Sequence, residues 1–198
     1  AFSLLRPYFG DCLRKMKDMQ HFDLESRKGK APGGYNCPLA ETGAPFIFMN
    51  AAGTADDVVT MMHEGGHALH SFLSHALPLQ GFKEYPMEMA ELASMSMELF
   101  SMDVWHVFYK TDEELRRAKA EELERALTIF PWIAIIDKFQ HWLYTNPAHT
   151  ADDRTNYWLE LHREFSPTNM QWEGLEGNRA ILWQKQLHLF EVPFYYIE

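Results

Sequence analysis

Residues 54–75 read TADDVVTMMHEGGHALHSFLSH, and the reading of this stretch organises that of the rest. Thr54 followed by Asp57 has the pattern of a capping box, in which each side chain satisfies a backbone N–H at the start of a helix. Val58, Val59, Met62, Leu69, Phe72 and Leu73 then recur at helical spacing, so a helix is expected over 54–77, ending before Pro78. Within it lies HEGGH, residues 63–67. Histidines four apart share one helix face, and their ring nitrogens can converge on a single zinc ion. The residue after the first histidine is carried to the side, where a carboxylate can take a proton from water at the metal's open position; Glu64 holds that place. The same five residues could belong to an ordinary helix. Against that stand Gly65 and Gly66, each costing about 1 kcal/mol in a helix interior, which calls for close packing or a site there.

A catalytic zinc takes three protein ligands, so a third must come from elsewhere. A helix is expected over 87–105, and Glu84, Glu88, Glu91 and Glu98 fall near one face around it. Such a stripe is commonly a solvated face, but Met87, Met89, Ala90, Leu92, Ala93 and Met95 make its setting core-like. Spacing leaves Glu88 and Glu91 as competitors. Asp57 and Glu98 are candidates to hold the far ring nitrogen of a metal histidine, although helix capping explains Asp57 equally well.

Working outward, residues 1–20 read as one amphipathic helix despite Pro7. Residues 21–50, with their Pro and Gly turns, read as short strands and loops, with Pro45–Met49 of strand composition. Thr111 and Glu114 form another capping box, opening a helix expected to break at Pro131. Further helices are expected over 132–144, 150–165 and 178–188. The fold class is mainly α with a small β-sheet, and a single domain is expected over 1–198. Apolar residues at 46% make the chain globular, and a net charge of −10 with no basic stripe argues against nucleic acid as a partner. No apolar run is long enough to span a membrane. Cys12 and Cys37, the only cysteines, do not form a disulfide scaffold or a CxxC pair, and no secretory leader is visible; a cytoplasmic location is expected. Both ends read as cuts through a longer chain.

HEGGHALHSFLS (63–74) followed by MAELASMSMELF (89–100) resembles the M3 family of zinc peptidases, the oligoendopeptidase F and thimet oligopeptidase group. Members carry HExGH, then a ligand Glu about two dozen residues on, a Ser shortly after it and a second Glu seven residues later. The matching positions are Glu91, Ser94 and Glu98, and the resemblance thereby selects Glu91 over Glu88. LESRKGKAPGGY (24–35), PFIFMNAAGTADDVVTMMHE (45–64), WLYTNP (142–147) and YWLELHREF (157–165) are also similar to family segments. LHLFEVPFYYIE (187–198) resembles the segment whose histidine and tyrosines bind the substrate carbonyl and the developing oxyanion. That places such roles at His188 and at one of Tyr195 and Tyr196. The resemblance implies a zincin-like catalytic domain, present in part, holding one zinc through His63, His67 and Glu91. It further implies hydrolysis of internal bonds in short peptides, with Glu64 as general base. Pro45–Met49 is expected to pair with an extended substrate by strand addition. The isolated chain is expected to cleave weakly or not at all.

Overall fold

A computed structural model describes residues 1–192, 194 and 196, without the side chains of Met87 and Glu88. The chain divides into two compact units, 1–122 and 123–198. Three apolar clusters lie within the first unit, and an aromatic cluster lies within the second.

The first unit opens with α1 (Phe2–Leu5) and α2 (Pro7–Asp18), not with one continuous helix. Arg6 between them is extended, at φ −153° and ψ 139°. A proline forces this on the residue before it, and Pro7 itself sits comfortably in the first turn of α2, where no N–H is needed. The strands β1 (Phe22–Glu25), β2 (Tyr35–Cys37) and β3 (Phe46–Ala51) form a sheet in the order β1-β3-β2, with β1 parallel and β2 antiparallel to β3. Ile47 and Met49 point to the buried face, while Phe46, Phe48 and Asn50 take the other. The β1–β3 register shifts between Asp23 and Glu25. There the buried side chain of Lys30 donates to the carbonyl oxygens of Asp23 (3.0 Å), Glu25 (2.9 Å) and Met49, and to the Asp23 carboxylate (3.0 Å). Its charge is thus fully hydrogen-bonded, as burial of an ammonium requires.

Helix α3 (Ala55–His75) starts at the Thr54–Asp57 capping box and stops two residues short of the expected end. It packs on the sheet through Ala68, which meets Ile47 and Met16, and on α1 and α2 through Met62 and Leu69. Helix α4 (Met87–Ser101) packs against α3 and continues as a 3₁₀ segment, Met102–Val107, instead of remaining α-helical to 105. The tightening seats Trp105, fully buried against Val59 and Ala118, with its indole N–H on Ser101 Oγ at 2.8 Å.

Helix α5 (Asp112–Thr145) runs unbroken through Pro131, contrary to the expected break. The carbonyl that loses its donor belongs to Leu127, a residue 73% exposed, where water can satisfy it. The division between units falls within this helix. In the second unit, α6 (Ala151–Phe165) begins at a Thr150–Asp153 capping box. The single helix expected over 178–188 is instead α7 (Glu176–Ala180), a 3₁₀ turn (Leu182–Lys185) and α8 (His188–Glu191). Packing overrides propensity here. Trp183 turns into the cluster of Phe139 and Trp158, and Gln186, in extended conformation, accepts a 3.0 Å hydrogen bond from the Trp132 indole. No described helix is long and apolar enough to cross a membrane.

Candidate metal centre

Two glycines allow the close packing of α3. A Cβ at Gly66 would lie 2.8 Å from Ser94 Cα and 3.0 Å from Met97 Cβ, so only glycine lets α4 approach this closely. A Cβ at Gly65 would lie 2.2 Å from the Phe2 ring. That close approach brings a carboxylate of α4 to the histidine face of α3. His63 Nε2 and His67 Nε2 are 3.2 Å apart. Glu91 reaches both, with Oε2 3.4 Å from His63 Nε2 and Oε1 3.8 Å from His67 Nε2. Among the described residues, one atom from each of His63, His67 and Glu91 can be chosen so that all lie within 4.8 Å of one another.

The surroundings fix these groups. His63 Nδ1 lies 2.5 Å from Glu98 Oε1, so Nδ1 carries a hydrogen and Nε2 faces inward, where a metal that displaces its proton would take its lone pair. Asp57 does not take that part. Its Oδ2 accepts from the backbone N–H groups of Ala52, Gly53 and Thr54 at 2.6–2.9 Å. The fully buried Ser94 hydroxyl lies 3.0 Å from the Glu91 carbonyl and 3.3 Å from its Oε2, on which it can steady the carboxylate.

The electrostatics ask for a cation. Burial opposes charge on His63, yet the Glu91 and Glu98 carboxylates outweigh it and push its pKa up to about 10. Burial holds His67 below the ordinary histidine value. The hydrogen bond from His63, against the cost of burial, holds Glu91 below the ordinary carboxylate value. Glu64 is 5% exposed, and its Oε2 has no hydrogen-bond partner. Burial pushes Glu64 up to about 7; His63 opposes the shift, and Glu91 and Glu98 add to it. Two imidazole nitrogens and one carboxylate, with an orphaned carboxylate oxygen on the residue next to the first histidine, fit a three-ligand zinc site with an open position.

With this geometry in view, comparison with known proteins gives the family. The model of peptidase family M3 matches residues 10–198. The chain belongs to peptidase family M3. Oligoendopeptidase F of Lactococcus lactis subsp. cremoris is 36% identical over 81 residues, which are 41% of this chain and 13% of that protein. Oligopeptidase PepF of Bacillus subtilis is 23% identical over 180 residues, covering 86% of this chain and 26% of the relative. A solved structure of PZ peptidase A with an inhibitor superposes with a TM-score of 0.89 at 34% identity, over 99% of this chain and 34% of that one. This M3 chain therefore spans about a third or less of each of these relatives.

The other site residues expected in this M3 chain lie in the second unit. His188 is the first residue of α8, half-buried, with Nδ1 in contact with Gln186 Nε2, and its ring centroid is 6.0 Å from that of Tyr196. Tyr195 lies outside the described residues, as does the side chain of Glu88. The expectation that Pro45–Met49 pairs with substrate is corrected: β3 is the central strand, bonded on both sides, and the edge nearest the site is β2. A Cβ at Gly34, just before β2, would lie 3.3 Å from Glu64 Oε1. In sequence, Gly34 belongs to a Pro/Gly turn within the family-like segment 24–35, and nothing there ties it to Glu64; the adjacent glycines of APGG are explained equally well by a turn.

Proposed function

We propose that this protein is a zinc-dependent endopeptidase that hydrolyses internal bonds of short oligopeptides. The observation that carries the reading is the convergence of His63, His67 and Glu91 beside the buried, unpartnered Oε2 of Glu64. Membership of peptidase family M3 supports it. His63, His67 and Glu91 would hold the zinc, which supplies Lewis-acid polarisation of water and of the scissile carbonyl when bound.

The chain's own residues supply the rest. Glu64 accepts the proton of the attacking water and passes it to the leaving amine; its raised pKa suits a group that must do both near neutrality. Glu98 keeps the proton on His63 Nδ1, and Ser94 steadies Glu91. An extended peptide can pair with the free edge of β2, which brings its backbone past Gly34 towards Glu64. By the family resemblance, His188 and one of Tyr195 and Tyr196 donate hydrogen bonds to the oxyanion.

The test is Glu64→Gln in the full-length protein, assayed with a quenched fluorogenic peptide alongside zinc analysis. The amide keeps the shape but cannot take the proton. Zinc content should hold while kcat falls by about 10²–10⁴-fold. Turnover close to wild type would show that another group is the base.

A further inference from the structure

Glu64 has a wall, and the wall has a clamp. The loop 31–34, sequence APGG, runs between Lys30, which is anchored in the sheet, and Tyr35, the first residue of β2. Gly33 takes φ +94°, a conformation that other residues adopt only with strain. This turn sets Gly34 against α3, where a Cβ would lie 3.3 Å from both Glu64 Oε1 and Thr60 Cγ2 and 3.4 Å from the Phe48 carbonyl oxygen. The loop contributes no residue to the described apolar clusters, so apolar packing does not hold it in place. Asn50 does. It lies near the end of β3, on the face opposite Ile47 and Met49, and its Nδ2 donates to the carbonyls of Ala31 (2.8 Å) and Gly33 (2.9 Å).

We propose that Asn50 is a positioning residue for Glu64, acting through the Ala31–Gly34 loop that it clamps. The inference rests on the reading of Glu64 as the general base. The clamped backbone closes one side of the carboxylate, limiting its side-chain freedom and the access of water to Oε1. Asn50 itself touches neither the metal ligands nor, by this reading, the substrate.

The test uses Asn50→Ala and Asn50→Asp in the full-length protein, the second keeping the shape while removing the donor. With zinc at wild-type stoichiometry, kcat should fall by about 10–100-fold in both, in line with the sensitivity of catalysis to displacements near 1 Å. KM should change less than kcat does, the pattern of a loss felt mainly in the transition state. Amide hydrogen exchange at residues 33–36 should quicken. In a Glu64→Gln background, Asn50→Ala should cost nothing further, because it acts only through Glu64. Gly34→Ala gives an independent arm if the Asn50 variants fold poorly: it keeps both hydrogen bonds, crowds Oε1 and should lower kcat at wild-type zinc content, whatever its effect on KM. Unchanged kcat in the variants that fold, a loss that tracks lost zinc, or the same loss in the Glu64→Gln background would each overturn the role of Asn50. Wild-type turnover in Glu64→Gln alone would overturn the reading of the base, and this inference with it.

Discussion

The two units differ in what their buried polar groups gather around. In the first, Glu64, Ser94 and Glu98 are buried on α3 and α4 around His63 and His67, and one oxygen of Glu64 is left without a partner. In the second, Gln186 and His162 are buried in and around an aromatic cluster, where they hold structure: Gln186 accepts from Trp132, and His162 Nδ1 accepts from Arg179 Nε at 3.2 Å. An unsatisfied buried carboxylate lowers stability, whereas a satisfied buried amide or imidazole costs little. The comparison teaches where to look for chemistry: an open buried atom alone does not mark a site, since Gln140 Nε2 in the second unit is open too, whereas an open carboxylate oxygen on the residue next to one of two histidines that converge with Glu91 does.

The largest effect that sharpens this contrast is on the architectural side. Trp158 is fully buried, with ring centroids 5.3 Å from Phe139 and 6.0 Å from Trp132, and its indole N–H donates to the Arg179 carbonyl at 2.9 Å. Trp158→Ala should cost about 3–5 kcal/mol in denaturant unfolding. A cost under about 1 kcal/mol, the level of a surface change, would mean the cluster is not the core of its unit.

The next comparison makes one substitution in both units. Gly66→Ala drives a methyl group against the backbone of α4, 2.8 Å from Ser94 Cα and 3.2 Å from the Ala93 carbonyl oxygen. It should destabilise by about 1–3 kcal/mol and weaken zinc binding, since Glu91 rides on that helix. Gly177→Ala, in α7, meets nothing within 4 Å and should stabilise by about 0.4–1 kcal/mol through the unfolded chain. Equal outcomes would show that α3 and α4 are not as close as described.

The smallest effect is a pH dependence. Burial, and then the nearby Arg179 and Lys185 charges, hold the His162 pKa below its ordinary 6.5. The unfolded chain therefore takes up a proton that the folded chain refuses. The stability contributed is complete above about pH 6.5 and is lost as pH falls from there towards the folded value. His162→Gln should flatten this part of the stability–pH curve relative to wild type. An unaltered slope in denaturant titrations between pH 7 and 5 would show that His162 does not titrate this way.

Much of the site was legible because its logic is local. HEGGH, the Thr54–Asp57 capping box and the two glycines sit within one helix, where spacing fixes which side chains share a face. Sequence makes Asp57 and Glu98 candidates to hold a metal histidine; only the packing of α3 on α4 puts Glu98 on His63. The choice between Glu88 and Glu91 likewise came from family resemblance, because helical spacing leaves both near one face. What escaped was set by contacts distant in sequence. The central place of β3 depends on pairing with β1 and β2, and the breakup of 178–188 depends on Trp132 and Phe139. The passage of α5 through Pro131 depends on Leu127 facing water. Asn50 was unremarkable in sequence, since its two acceptors lie 17 and 19 residues away.

The central claim is the identity of the metal ligands, and anomalous diffraction at the zinc edge from crystals of the zinc-loaded protein tests it most directly. The account predicts one zinc with His63 Nε2, His67 Nε2 and a Glu91 carboxylate oxygen at about 2.0–2.2 Å, leaving Glu64 outside the coordination shell. A zinc bound instead by Glu88 or Glu98, with Glu91 turned away, would contradict it.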